Sequence, residues 1–262
     1  MRRKLIVGNW KMHTTAIEAA RLAGAIVEGC GNEDRVSVLI CPPFPYIALV
    51  GNILTGSQVA LGGQNLYPES EGAFTGEVSP TMLLDLGCKH VILGHSERRH
   101  TMGESDAFIN CKVQAALAAG LRVILCVGET HDQREHGETA AVLQRQLTLG
   151  LEGVSAGAVQ HLCIGYEPVW AIGNQGTDAT PELAQAAHAI IRDCFGRIYG
   201  ETKAETLIIT YGGSVNPENA DDLLSCEGVD GALVGGESLI AEDFLAIINA
   251  GITWPKPEGL FA

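Results

Sequence analysis

Eight short apolar runs recur along this chain, each closed by glycine or polar residues, and this repetition limits the possible folds more than any other feature. The runs are Leu5–Val7, Val36–Cys41, Val59–Leu61, Val91–Leu93, Val123–Val127, Leu162–Gly165, Leu207–Thr210 and Ala232–Val234. Several are almost continuously apolar and rich in β-branched residues, the pattern of strands covered on both faces. Helix-like stretches lie between them. Thr15–Glu28 and Ser105–Ala119 mix apolar and polar positions among helix formers. Thr180-Pro181-Glu182 supplies an N-cap, a proline at the first helical position and an early acid, predicting a helix that runs towards Tyr199. Asn216-Pro217-Glu218 predicts another opening of the same kind. Strands alternating with helices describe a parallel βα repeat. At about 33 residues per unit, the repeat has the size of a (β/α)8 barrel. The competing doubly wound sheet would need a G-x-G-x-x-G turn with a matching acid, and the chain has none. P-loop and nucleophile-elbow motifs are also missing. No linker interrupts the pattern. The expectation is an α/β fold, a single-domain (β/α)8 barrel over residues 1–262, with a short tail from about residue 252.

Charge removes several function classes. The chain carries 17 basic and 31 acidic residues, a net charge of -14, with no basic run. Such a field repels nucleic acid and anionic lipid. The longest apolar stretches fall far short of the ~20 residues of a membrane helix. Met1-Arg2-Arg3-Lys4 is basic, but only Leu5-Ile6-Val7 follows before Gly8-Asn9, too little for a signal-peptide core. The chain reads as cytoplasmic, with no nucleic-acid and no membrane partner. Its eight cysteines are scattered and form no Cys-x-x-Cys, so reduced and mostly buried thiols are expected rather than disulfides or zinc. His90, His95 and His100 stand five residues apart, a spacing that aligns them on neither a helix face nor a strand face. No metal site is expected.

In a barrel of this kind, chemistry belongs just past the carboxyl ends of the strands. The first strand runs into Gly8-Asn9-Trp10-Lys11, the fourth into Gly94-His95-Ser96-Glu97 and the sixth into Tyr166-Glu167-Pro168. The seventh ends in Tyr211-Gly212-Gly213-Ser214 and the eighth in Gly235-Gly236. An amide, an ammonium, an imidazole, a carboxylate and two glycine-rich turns would thus share one rim. Taken singly, each has an ordinary structural explanation. Their common placement points to acid–base chemistry beside a phosphate held by backbone N–H groups.

The chain also resembles the triosephosphate isomerases over nearly its whole length, from Gly8 to about Ile248. The resemblance rests on Gly8-Asn9-Trp10-Lys11-Met12, on Gln64-Asn65 through Gly72-Ala73-Phe74-Thr75-Gly76-Glu77-Val78-Ser79-Pro80, and on Gly94-His95-Ser96-Glu97-Arg98-Arg99. It continues through Cys126-Val127-Gly128-Glu129-Thr130, Tyr166-Glu167-Pro168-Val169-Trp170-Ala171-Ile172-Gly173, Tyr211-Gly212-Gly213-Ser214-Val215 and Val234-Gly235-Gly236. It implies a TIM barrel and the interconversion of dihydroxyacetone phosphate and glyceraldehyde 3-phosphate through an enediolate, a step of glycolysis and gluconeogenesis needing no cofactor. By the same resemblance Glu167 would be the base and His95 the group polarising the carbonyl. Lys11 and Asn9 would bind substrate, with Lys11 also offsetting the developing charge. Gly173, Ser214, Gly235 and Gly236 would hold the phosphate, and Glu97 would support the site. The family also implies a homodimer, formed by the loop Gln64–Pro80 with Phe74 and Thr75 at its tip.

Elementary chemistry agrees with this assignment. A proton beside a carbonyl is weakly acidic, so a base must act together with oxyanion stabilisation. A helical turn beginning after His95 would disfavour the imidazolium form. Three departures from the family pattern stand out. The lid after Ile172-Gly173 is one residue longer than usual and lacks the hinge lysine, which predicts a looser second hinge at Thr177-Asp178-Ala179. Glu237 replaces the usual alanine after the two phosphate glycines, and a tail with Trp254, Pro255 and Pro257 follows the last helix. Competing readings are another phosphosugar barrel, such as an aldolase with a Schiff-base lysine, or a barrel that binds without catalysing. The presence of both Glu167 and His95 argues against the last.

Overall fold

The computed structural model describes residues 2–173 and 180–253. Eight strands close into a parallel barrel in sequence order: β1 (Lys4–Asn9), β2 (Val36–Cys41), β3 (Ala60–Gly63), β4 (His90–Leu93), β5 (Arg122–Val127), β6 (Leu162–Tyr166), β7 (Ile208–Tyr211) and β8 (Gly231–Val234). The closing pair joins Leu5 through Gly8 to Gly231 through Val234. Each expected apolar run lies in or against one of these strands, with ends that differ by at most two residues.

Period-two alternation explains why nearly every strand residue is apolar. In β5, Ile124 and Cys126 point into the barrel, joining Val7, Leu39, Ile92 and Leu233. Val123, Leu125 and Val127 point outward under the helices and belong to the larger core layer. Burial on both faces leaves few positions for a polar side chain before the strand ends, Ser37 and the buried Thr210 being the exceptions inside strands.

Helices fill every crossover. Thr15 caps Ala16–Cys30 through a capping box with Glu18. Ser105 caps Asp106–Ala119, which stops at Gly120 in the left-handed conformation. Pro181–Tyr199 runs as expected, with Thr180 at the N-cap position and Pro181 inside the first turn. Asn216 does not open its helix directly. Its side chain accepts the N–H groups of Glu218 and Asn219, forming a separate turn, and the helix begins at Ala220. The last helix, Ala241–Thr253, includes the first two residues of the expected tail; residues 254–262 lie outside the described part. Among the described residues no helix is long and apolar enough to cross a membrane. All eight cysteines are free thiols, six of them buried.

Candidate active site

The barrel's inner face runs on directly into the rim. In β1 the inward positions lead through Leu5 and Val7 to Asn9. In β6 they lead from Cys163 to Glu167, in β7 from Ile208 to Gly212, and in β8 from Leu233 to Gly235. These residues border a cavity of about 160 Å³ together with Lys11, His95, Gly173, Ser214 and Gly236. Every expected site residue therefore meets there except Glu97, which stands behind Lys11. The three histidines of the five-residue spacing separate: His95 lines this cavity and His90 lines another at the opposite end of the barrel.

His95 and Glu167 are buried and face each other. The imidazole Nε2 lies 3.0 Å from Glu167 Oε1, and Glu167 Oε2 accepts the Ser96 N–H at 2.7 Å. On the far side of the ring, Nδ1 accepts the Glu97 N–H at 3.2 Å as the side-chain cap of the short helix Ser96–His100. A ring that accepts at Nδ1 carries its proton on Nε2 and donates it to the carboxylate. Burial works against charge on either partner, but their contact outweighs it. The pKa of His95 is raised by the neighbouring carboxylate, and that of Glu167 is lowered by the ring and the Ser96 N–H.

Room for this carboxylate comes from two glycines. A Cβ on Gly212 would stand 2.9 Å from Glu167 Cγ, and one on Gly128 would stand 1.8 Å from the Glu167 carbonyl oxygen. Lys11 reaches the cavity by an unusual route. Its φ of 52° is left-handed, a conformation that costs about 1–3 kcal/mol in a residue other than glycine. Three contacts hold it. Its N–H donates to Asn9 Oδ1, its carbonyl accepts Gln64 Nε2 at 2.8 Å, and its ammonium pairs with Glu97 Oε1 at 2.7 Å. The Lys11 Cε passes close to Gly235, bringing the cation beside the glycine turn.

The start of the lid is anchored by a group that sequence reasoning left without a role. Glu129 is fully buried. It accepts from Trp170 Nε1 at 2.9 Å and from the Tyr166 hydroxyl, while Arg134 stacks on the Trp170 ring at 4.1 Å. Its sequence signal was an acid directly after an apolar strand, where burial demands partners. Val169–Ala171 forms a 3-10 turn over this anchor. The Ser214 N–H donates to the Ala171 carbonyl at 2.8 Å, so the turn after β7 and the turn after β6 touch. The expected second hinge lies outside the described residues. Glu237 borders the cavity, and its pKa is raised by partial burial and by the acids Asp243 and Glu218.

A family model described as "Triosephosphate isomerase" matches residues 4–251. A triosephosphate isomerase of Chloroflexus aurantiacus is 50% identical over 249 residues, covering 95% of this chain and 99% of the relative. One of Syntrophotalea carbinolica is 50% identical over 95% of this chain and 98% of its own. One of Carboxydothermus hydrogenoformans is 50% identical over 96% of this chain and all of its own.

Proposed function

Because the chain belongs to the triosephosphate isomerase family, we propose that its rim cavity carries out that family's reaction with Glu167, His95 and Lys11 as the catalytic groups. The chain is an isomerase that interconverts dihydroxyacetone phosphate and glyceraldehyde 3-phosphate. Glu167 takes the carbon-bound proton and returns it to the neighbouring carbon. His95 donates from Nε2 to the substrate carbonyl and moves protons between the two oxygens. When Glu167 turns from the ring to the substrate, the imidazole loses the partner that raised its pKa. Burial, Lys11 and the Glu97 N–H then favour the neutral ring. A neutral donor can polarise an oxyanion without trapping it as a stable acid.

Lys11 and Asn9 bind the substrate, and Glu97 keeps the ammonium in place until substrate charge arrives. The backbone N–H groups of Gly173, Ser214, Gly235 and Gly236 hold the phosphate. Engaging the Ser214 N–H requires it to leave the Ala171 carbonyl, which couples phosphate binding to movement of the lid. The negative whole-molecule field is screened beyond ~8 Å, so the local cation and the turn N–H groups govern substrate entry. No cofactor takes part in this scheme, and the chain from 1 to 262 acts as one domain.

The loop Gln64–Pro80 is the proposed contact of a homodimer. Met12, next to Lys11, is 93% exposed, and Phe74 remains 38% exposed after stacking on Tyr67. A partner covering these groups would bury apolar surface beside the site. The free, largely buried thiols suit a reducing cytoplasm.

One observation carries this reading: a buried carboxylate and imidazole in hydrogen-bond contact within a phosphate-sized cavity that also holds a lysine. A coupled assay following isomerisation of glyceraldehyde 3-phosphate by the purified chain tests it. Turnover without added metal or cofactor is expected, and a folded chain that binds triose phosphate without turnover would overturn it.

A further inference from the structure

The lower mouth of the barrel, at the amino ends of the strands, is open. Where bulky side chains would close it stand Ser37 and Ala60, and a cavity of about 340 Å³ lies between them, larger than the one at the rim. Its floor is the end of the barrel's own apolar interior, including Leu5, Leu39, Cys163 and Ile208. Its edge carries Arg3, His90, Arg122 and His161. An adjoining cavity shares the last three of these and adds Lys89.

The charge pattern here is the reverse of the molecule's. Although acids outnumber bases by 31 to 17, no carboxylate borders either cavity among the described residues. Many cations elsewhere are matched with acids. Arg2 and Arg192 share Asp230, Arg98 and Lys112 share Glu104, and Arg99 pairs with Asp106. Arg3 spends one donor on the Val36 carbonyl. Among the described residues, Arg122 and Lys89 pair with no acid. His90, whose ring lines the same space, has its Nδ1 buried without a hydrogen-bond partner. Burial and the nearby Arg122 push the His90 pKa down to about 4, so this ring is neutral at pH 7. Unmatched guanidinium and ammonium groups above an apolar floor define a site for one kind of molecule.

We propose that the lower mouth binds a small organic anion, with its phosphate or carboxylate group held by Arg122 and Lys89 beside the His90 ring and its apolar body seated on Leu39 and its neighbours. The anion completes the charge balance of the edge, and the hydrocarbon part removes water from the floor. The site is separated from the rim by the packed barrel interior, so its occupancy leaves the reacting groups untouched.

The test uses the full-length chain with triose phosphate present to keep the rim site filled. Phenyl phosphate, benzoate and inorganic phosphate are titrated while the imidazole resonances of His90 and His161 are followed by NMR. Saturable shifts of both rings are expected with phenyl phosphate or benzoate, and the tighter of the two identifies the anionic group. Inorganic phosphate should bind more weakly than phenyl phosphate, because it lacks the apolar body. The His90 pKa should rise on binding. Arg122→Ala should weaken binding roughly tenfold or more, as expected for a lost charge-assisted contact, with kcat and KM unchanged. Lys89→Ala serves as a second variant should Arg122→Ala fail to fold. Unmoved His90 and His161 resonances, or shifts that survive intact in both variants, would overturn the proposal.

Discussion

Acid should weaken this protein in part through the buried His188. His188 sits inside the helix Pro181–Tyr199 with no solvent exposure. Its Nδ1 bonds the Gly228 carbonyl at 3.0 Å, its ring meets Tyr166 edge-on, and Nε2 has no hydrogen-bond partner. Burial pushes its pKa down to about 4, and the Gly228 carbonyl and Asp230 offset that only in part. Unfolded, the ring titrates near the ordinary 6.5. As pH falls below 6.5 the unfolded chain takes up a proton that the folded chain refuses, so stability drops until about pH 4, where the folded form also protonates. That gap corresponds to roughly 3 kcal/mol, against a typical total of about 5–15 kcal/mol. His188→Gln keeps a donor for Gly228 and removes the titration. Denaturant unfolding at fixed protein concentration, repeated from pH 7 to pH 4, should show the variant less stable at pH 7 by about 1–2 kcal/mol through lost packing. Its loss on acidification should be roughly 3 kcal/mol smaller than that of the natural protein, so the two curves cross. Parallel curves would refute the reasoning.

Three further outcomes are expected. Gly212→Ala places a methyl 2.9 Å from Glu167 Cγ; displacing the base by a fraction of an ångström should lower kcat by about 10–100-fold with KM little altered, and an unchanged kcat would mean the carboxylate has slack. Glu237→Ala should lower KM at low ionic strength and leave kcat nearly constant, because a fixed repulsion acts equally on ground and transition states; an unchanged KM would mean that Glu237 does not act on the phosphate. Phe74→Asp should convert the proposed dimer to monomers in sedimentation velocity and reduce activity through loss of support for Lys11, whose carbonyl is held by Gln64 at the base of the same loop; a fully active monomer of the natural chain would contradict the assembly.

The barrel was legible because its strands are apolar on both faces. Alternation in β5 needs Ile124 and Cys126 inside and Val123 and Leu125 outside, and such runs are visible in any sequence. Glu167 and Asn9 were legible for a related reason: they are the first polar residues on the inner face of their strands. What stayed hidden depends on contacts distant in sequence. Nothing near Gly212 or Gly128 announces that both must clear the backbone and side chain of Glu167. Glu129 sits in a recognisable motif, yet its bonds to Tyr166 and Trp170 span about 40 residues. Asn216-Pro217-Glu218 carries the local signals of a helix start, but Asn216 spends its side-chain oxygen on a preceding turn, which delays the helix to Ala220.

The central claim is that Glu167 moves the carbon-bound proton, and the most direct measurement is the turnover of Glu167→Gln. The amide oxygen can still accept the Ser96 N–H and the side chain keeps its size while losing its basicity, its NH2 replacing the oxygen that faced His95. The account predicts a folded variant whose kcat falls by at least ~10²–10⁴-fold, with only a modest change in KM and a matching loss of deuterium exchange from solvent into substrate. A folded variant with near-normal kcat would contradict it.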